Sequence, residues 1–354
     1  MIPCPVFFAF LSDRQIIMSS NIRLKDIAHK LGVSVTTISK VLNNHPDISP
    51  ARKEEVKRMI KELNYVPNSM ASTLRTKHTN FVGLLVPDNT NPYYARLING
   101  VEEKLRGEGF FTLICNTREN ATLEIEFINN LRSINVAGVI ITPVGGDDKS
   151  MKYLRAVGIP YVIANRYITE GKDNYVIADD YRAGFLATEH LLARHPGKKV
   201  VMINGHINSS TAKDRFRGYR DALKKLGPRS ARTTVYDGYV TSDHGYEIAA
   251  EILKTHRRPI SILCYSDYVA IGVLNRLEDA GVAVPAEVAV MGIDDIESSG
   301  LTNRKLSSIA IPKRRMGIKC AEILLELIAA RKAEATRPNT HFVHEVSLVV
   351  RAST

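Results

Sequence analysis

Residues Gly32 to Asn43 read GVSVTTISKVLN, and the organisation of the chain follows from that run. Gly32 permits the positive φ at which one helix ends. Ser34 can cap the next helix by accepting a hydrogen bond from a backbone N–H two or three residues on. Behind the cap, Ile38, Val41 and Leu42 share one face at helical spacing, which leaves Val35, Thr36, Ser39, Lys40 and Asn43 on the other. Just before it, Leu24 to Leu31 (LKDIAHKL) puts Ile27, Ala28 and Leu31 on a face of their own. Two short amphipathic helices joined at a glycine form a helix-turn-helix. A second helix that begins with small polar residues and carries a lysine one turn later suits a DNA major groove. The same pattern also fits a solvated helical hairpin inside a larger core, so patterning alone leaves both readings open.

Working outward, Ser49-Pro50 announces a third helix, with serine as its cap and proline at the first position, where no N–H is needed. Its apolar stripe is Val56, Met59, Ile60 and Leu63. Asn64 to Asn68 (NYVPN) breaks the helix, and Ser69 to Arg75 is too short to hold a helix alone. Residues 1–17 contain the apolar run Val6 to Leu11 but lack the basic region and longer apolar stretch of a signal peptide. They are expected to be a disordered or non-native extension.

The chain has 354 residues and a formal net charge of +11, which favours an anionic partner. From Met18 to Asn80 there are eleven basic and five acidic residues, so more than half of the net charge lies in about a sixth of the chain. Cys4, Cys115, Cys264 and Cys320 are widely spaced, with no CxxC pair, which supports neither a zinc site nor a redox motif. No run is long enough to span a membrane. A cytoplasmic protein is expected.

From Phe81 short apolar strands alternate with helices, the mark of parallel sheets covered on both faces. The strands expected are Phe81 to Pro87, Phe110 to Cys115, Gly138 to Thr142 and Tyr161 to Ala164, then Lys199 to Asn204, Thr234 to Tyr236, Ser261 to Cys264 and Val288 to Gly292. Helix Arg315 to Lys332 and terminal strand Phe342 to Val350 close the chain. Two α/β lobes in series place a ligand between them at the carboxyl ends of their strands. No P-loop, strand-borne GxGxxG, HExxH or GxSxG occurs, so no cofactor and no metal is expected. Polar residues do gather at strand ends: Asn165-Arg166, Asp267 and Asp294-Asp295, with Arg215 opening helix Arg215 to Leu226. These groups suit a sugar-like ligand and include no obvious nucleophile. Of the pair Asp294-Asp295, one is expected to reach a ligand hydroxyl and the other to cap a helix.

These motifs resemble a known family. Asp26-Ile-Ala, Leu31-Gly-Val-Ser34, Thr37-Ile-Ser39, Val41-Leu-Asn43, Asn64 to Asn68, Ala71 and Leu74-Arg75 are similar to the headpiece and hinge of the lactose and galactose repressor (LacI/GalR-type) regulators. The likeness continues through Val86-Pro-Asp88, Asn91 to Tyr94, Arg215 to Tyr219, Asp267 to Gly272 and Gly292 to Asp295. It implies an α/β protein: a small all-α helix-turn-helix headpiece and hinge helix, joined to a two-lobed, periplasmic-binding-protein-like core of doubly wound parallel sheets. The expected division is an extension at 1–17, headpiece at 18–66, hinge helix and linker at 67–80 and core at 81–354. The N-terminal lobe would take about 81–178 and 312–337, and the C-terminal lobe about 179–311 and 338–354.

Further implications of the resemblance are a repressor, a homodimer on a near-palindromic double-stranded DNA operator, and control by a small sugar or related metabolite, with no membrane partner and no catalysis. It assigns Val35, Thr36, Ser39, Lys40, Asn43, Ser49, Ala71, Leu74 and Arg75 to DNA, with Leu74 as a minor-groove wedge. Asp88, Tyr93, Asn165, Arg215, Asp267 and Asp294 fall on effector-pocket positions. Two departures matter. Arg23 stands where a threonine often caps the first helix. The family's aromatic stacking position near Tyr239 falls on Val240, and the chain has no tryptophan. The competing reading is a small-molecule-binding protein or sugar-processing enzyme whose N-terminal helices serve only oligomerisation.

Overall fold

A computed structural model describes residues 22–42, 44–63, 65, 79–145, 148–168, 173–206, 208–227 and 233–354. The extension at 1–17, Asn43 and the hinge residues Ala71, Leu74 and Arg75 lie outside the described residues. The chain divides into two compact units, residues 1–76 and 77–354.

The first unit holds helices α1 (Leu24–Lys30), α2 (Val35–Leu42) and α3 (Pro50–Glu62). Arg23 has no acceptor to cap α1; instead the Asp26 carboxylate, three residues on, accepts the Arg23 N–H at 2.7 Å. Gly32 turns the chain at φ +61°. Ser34 Oγ then accepts the Thr37 N–H at 3.1 Å, and Ser49 Oγ accepts the Arg52 N–H at 3.4 Å ahead of Pro50. Both serines act as the caps expected from the sequence. Ile27, Ala28, Ile38, Val41 and Val56 form the buried cluster. Leu42 was expected on this face but is exposed: it is the last residue of α2, one step beyond Val41, where the cluster ends.

The second unit has two lobes of the same design. The first contains β1 (Phe81–Val86), α4 (Pro92–Gly107), β2 (Phe111–Asn116), α5 (Ala121–Ser133), β3 (Gly138–Ile141), α6 (Lys149–Val157), β4 (Tyr161–Ala164) and β5 (Tyr175–Ala178). The second contains α7 (Asp180–Arg194), β6 (Lys199–Asn204), α8 (Ser210–Leu226), β7 (Val235–Asp237), α9 (Ser242–Thr255), β8 (Ile260–Cys264), α10 (Asp267–Asp279), β9 (Val288–Asp294), a 3-10 turn (Glu297–Gly300) and β10 (Ser307–Ala310). Then come α11 (Lys313–Lys332), β11 (His341–His344) and β12 (Ser347–Val349). The sheets run β2-β1-β3-β4-β5-β11 and β7-β6-β8-β9-β10-β12, parallel throughout except for β12 against β10.

Two features differ from the sequence expectation. Strands β5 and β10 were not foreseen, and the terminal strand is two strands in two different sheets. His341–His344 pairs with β5 in the first sheet, so residues 341–344 belong to the N-terminal lobe rather than to a C-terminal lobe beginning at 338. The chain crosses at Glu345-Val346, and Ser347–Val349 then pairs with β10. Helix α11 packs on α4 and on β3 to β5, as expected for the N-terminal lobe. Among the described residues the lobes are therefore joined by three crossings, from β5 to α7, β10 to α11 and β11 to β12, all at one edge of the paired sheets. The opposite edges of the two sheets carry β2 and β7. Among the described residues no helix is long and apolar enough to cross a membrane.

Candidate functional site

In the first unit, Val35 and Thr36 are exposed on the first turn of α2, with Ser39 and Lys40 one turn on along the same face. Lys40 Nζ lies 3.6 Å from Asp47, which also meets His45 Nδ1 at 3.2 Å. Ion pairs this exposed are weak, so the ammonium is readily exchanged onto a phosphate or base edge. Ser49 is exposed and already caps α3.

In the second unit, the cleft holds a cavity of about 740 Å³. Asp88, Tyr93, Asn165, Arg215 and Asp294 all line it, drawn from five separate stretches of the chain. Strand ends deliver three of them: Asp88 follows β1, Asn165 follows β4, and Asp294 ends β9. Arg215 does not open its helix. α8 starts five residues earlier at Ser210, capped by Ser209 Oγ on the Ala212 N–H at 3.1 Å. Arg215 therefore projects from the second turn. Gly184 and Gly218 bring α7 and α8 together, since a Cβ on either would come within 2.1 Å of a carbonyl oxygen on the facing helix.

That approach sets Arg215 against Asp180 at the start of α7. Nε donates to Asp180 Oδ1 at 2.8 Å, one terminal nitrogen donates to the Tyr265 carbonyl at 2.5 Å, and the other reaches Asp294 Oδ1 at 3.4 Å. The guanidinium also lies 4.6 Å from the Tyr265 ring centroid. Burial pushes the Asp180 carboxyl up to about 6 and that of Asp294 up to about 7, although the shared guanidinium pulls both the other way. Lys313 Nζ donates to the carbonyls of Asp294 and Asp295, and burial lowers its own pKa. This ammonium ties down the carbonyls of Asp294 and Asp295, and Asp294 sits at φ +127°, a backbone that a non-glycine residue adopts only under constraint.

On the opposite wall, the Tyr93 hydroxyl donates to Asn165 Oδ1 at 2.6 Å, and burial raises its pKa well above 10. Asn165 has φ +66°, and its Nδ2 donates to Tyr94 Oη at 3.4 Å. Asp88 Oδ1 accepts from the N–H and hydroxyl of Thr90 at 2.9 and 2.6 Å. Arg166 makes a two-pronged contact with Glu119 at 2.6 and 2.9 Å and donates to the Pro143 carbonyl at 3.0 Å. Glu124 accepts from the Val144 N–H at 2.8 Å and from the Ser150 hydroxyl, which fixes the rim loop; burial raises its pKa. A Cβ on Gly145 in that loop would lie 3.0 Å from the Asn208 carbonyl, so the loops of the two lobes meet there.

Two expectations need correction. Asp267 does not line the cavity. Its carboxylate accepts from the Ile296 N–H at 3.0 Å and from the Ser299 and Ser308 hydroxyls at 2.5 Å each, so its acceptor capacity is turned inward on the backbone that carries Asp294. Asp295 caps no helix; it pairs with Arg351 at 2.6 Å. Asp180, Glu119, Tyr265 and Lys313 were not foreseen. Asp180 had a legible signal, because Asp179-Asp180 follows Tyr-Val-Ile-Ala at 175–178, the same four letters as β4. The lining balances Asp88, Glu119 and Asp294 against Arg118, Arg166 and Arg215, with tyrosines 93, 94, 239 and 265 among them. The Ser209 and Ser266 hydroxyls are committed as helix caps. Such a lining binds hydroxyls and ring faces.

A helix-turn-helix unit followed in one chain by two parallel-sheet lobes around a polar cavity defines a ligand-responsive DNA-binding regulator. The family described as periplasmic binding proteins and sugar binding domain of LacI family matches residues 79–344. The family described as bacterial regulatory proteins, lacI family, matches residues 23–68. The chain belongs to the LacI family: it is a DNA-binding transcriptional regulator with an effector-binding core. It is 30% identical to an HTH-type transcriptional repressor PurR of Vibrio atlanticus (strain LGP32) over 312 residues, 88% of this chain and 93% of that one. It is also similar to the solved transcriptional regulator CelR–cellobiose complex, with 30% identity, TM-score 0.72, and coverage of 94% of this chain and 100% of that one. A lac repressor dimer bound to operator and the anti-inducer ONPF aligns with TM-score 0.82 over 94% of this chain and 99% of that one; at 23% identity it speaks for the fold alone.

Proposed function

We propose that the chain is a transcriptional repressor that works in the cytoplasm as a homodimer on a near-palindromic operator, and that a small neutral sugar or related metabolite in the cleft sets its operator affinity. The observation that carries the effector reading is the cavity of about 740 Å³, whose lining pairs three carboxylates with three guanidinium groups among tyrosine rings. Such a site satisfies hydroxyls in both directions, with acceptor carboxyls and donor guanidinium groups in equal number. Asp88, Tyr93, Asn165, Arg215 and Asp294 would bind the effector, with Asp267 holding the end of β9 in place. Val35, Thr36, Ser39 and Lys40 would meet the major groove, with Asn43 and Ser49 on the backbone. Ala71, Leu74 and Arg75 would form a hinge helix on DNA, with Leu74 wedged between base pairs.

Closing or opening the cleft changes the spacing of the lobes, and so whether paired hinges can fold on DNA together. No catalytic step is part of this reading. Gel shifts on operator-like palindromes, with and without ribose, cellobiose and other sugars, test it against turnover of the same sugars. A sugar-dependent shift without turnover is expected. Turnover with no palindrome binding would favour the enzyme reading.

A further inference from the structure

The two lobes also bond to each other away from their crossings. Among the described residues, side-chain hydrogen bonds of this kind gather at two places. At one, Arg96 of α4 meets Glu297 at 2.5 Å, but both side chains are more than half exposed, and a pair so exposed holds little. At the other, the first turns of α8 dock on the end of β4. Ser210 Oγ accepts the Tyr167 N–H at 3.0 Å, the Thr211 hydroxyl donates to the Asn165 carbonyl at 3.4 Å, and the Tyr167 hydroxyl donates to Asp214 Oδ2 at 2.9 Å.

The last of these bonds ties two side chains that are each anchored in their own lobe. The Asp214 side chain is 13% exposed, and its other oxygen meets Arg217 at 3.0 Å. The Arg217 guanidinium lies in turn 5.0 Å from the Tyr181 ring centroid on α7. The half-buried Tyr167 ring packs on the core of the N-terminal lobe, 6.0 Å from the Tyr175 ring centroid. The bond therefore lasts only while the lobes keep this spacing. Neither residue lines the cavity, but their neighbours do: Asn165 and Arg166 precede Tyr167, and Arg215 follows Asp214. A ligand that bridges the two walls thus acts on the same two stretches of backbone that carry Tyr167 and Asp214.

The geometry points to a latch: the Tyr167–Asp214 bond sets the spacing of the lobes, and through it the effector affinity of the cleft. The second half of this rests on the effector-site reading above. An effector that bonds to both walls needs the lobes together, and its apparent Kd is the intrinsic value divided by the fraction of chains in that state.

Hydrogen exchange on the full chain without any sugar reads the latch directly, because the Tyr167 N–H is itself a bond between lobes. Tyr167→Phe removes one hydroxyl and keeps the ring, and Asp214→Ala removes its acceptor. Each should speed exchange at the residue 167 amide roughly tenfold, the worth of one hydrogen bond to a charged group. The double variant should exchange no faster than either single one. In Tyr167→Phe the amides of Ala212 and Lys213, which bond to Ser209 inside the start of α8, should keep the parent rate. Unchanged exchange at residue 167, additive effects in the double variant, or equal acceleration at Ala212 and Lys213, which would mean fraying of the helix, each overturn the latch. Ribose, cellobiose and a set of neutral mono- and disaccharides are then screened by thermal shift on the unaltered chain. For a sugar that stabilises it, Tyr167→Phe should raise the Kd by up to tenfold; an unchanged Kd beside faster exchange overturns the control of affinity. If no sugar stabilises the unaltered chain, the sugar-site reading falls, and exchange alone decides the latch.

Discussion

Removing Arg215 tests whether the cleft is a ligand contact surface or a charge array that also holds the core together. Arg215 is 2% exposed, and Asp180 and Asp294 are 5% and 4% exposed. Arg215→Ala strips both carboxyls of their shared guanidinium and opens a void beside Tyr265. Losing one partner of a buried ion pair costs about 3–5 kcal/mol. In a unit of this size each kcal/mol moves the melting point by roughly 2–4 °C, so a fall on the order of 10 °C is expected at pH 8.

The penalty must depend on pH, and its sign is fixed. Burial already lifts Asp180 to about 6 and Asp294 to about 7 with the guanidinium present. Without it both rise further, so the variant takes up protons that offset the loss, up to about 1.4 kcal/mol for each unit of additional shift. The melting-point deficit should therefore be smaller at pH 5.5 than at pH 8. The parent follows the same logic. Between the ordinary carboxylate range and about 7, its folded state holds protons that the unfolded chain releases, so this contribution favours folding on the acid side and is lost as pH rises. Calorimetry of the full chain at both pH values reads all of this. A variant that melts within about 2 °C of the parent at pH 8, or a deficit that is the same at both pH values, would refute the argument and leave Arg215 as a ligand contact only.

Asp267→Ala leaves three buried donors unpaired and should cost about 3 kcal/mol or more, while Asp267→Asn, whose one remaining oxygen can still accept from the Ile296 N–H and the Ser299 hydroxyl that share Oδ2, should cost less; loss of effector response in Asp267→Asn at an unchanged melting point would instead make Asp267 a ligand contact. Thr36→Ala should alter preference at one operator base pair by roughly 1–3 kcal/mol, whereas Lys57→Ala, which removes an exposed ammonium of α3 lying 3.3 Å from Glu54, should weaken all sequences alike and flatten the salt dependence; uniform loss in both, read by competition gel shifts, would remove Thr36 from base reading. Leu74→Ala should lower operator affinity far more than affinity for random DNA, because a wedge contributes only where the duplex bends; equal losses would make residues 69–75 a passive linker.

The headpiece was legible because its determinants act locally. Gly32, Ser34, Ser49 and Pro50 each act on backbone within three or four residues, and the apolar stripes of its helices meet over a short stretch of chain. The alternation of the core was legible for the same reason: a buried parallel strand announces itself by its own apolar run. Strand β10 escaped because Ser307-Ser308 is polar, and becomes a buried strand only through partners supplied from afar, Ser353 and Thr354 for one and Asp267 for the other. Residues 342–350 look like one strand, and only the position of the two sheet edges, with a crossing at Glu345-Val346, makes them two.

The site divides in the same way. Strand-end position, a local property, pointed to Asn165 and Asp294. Which of the polar residues would face the ligand was decided by partners distant in sequence. Asp180 and Asp294 are 35 and 79 residues from the Arg215 they share, while Ser299 and Ser308, 32 and 41 residues beyond Asp267, turn that carboxylate away from the cavity. A residue's type and neighbours set what it can bond to; only the packed chain settles which of those bonds are already made, and so which groups remain for a ligand.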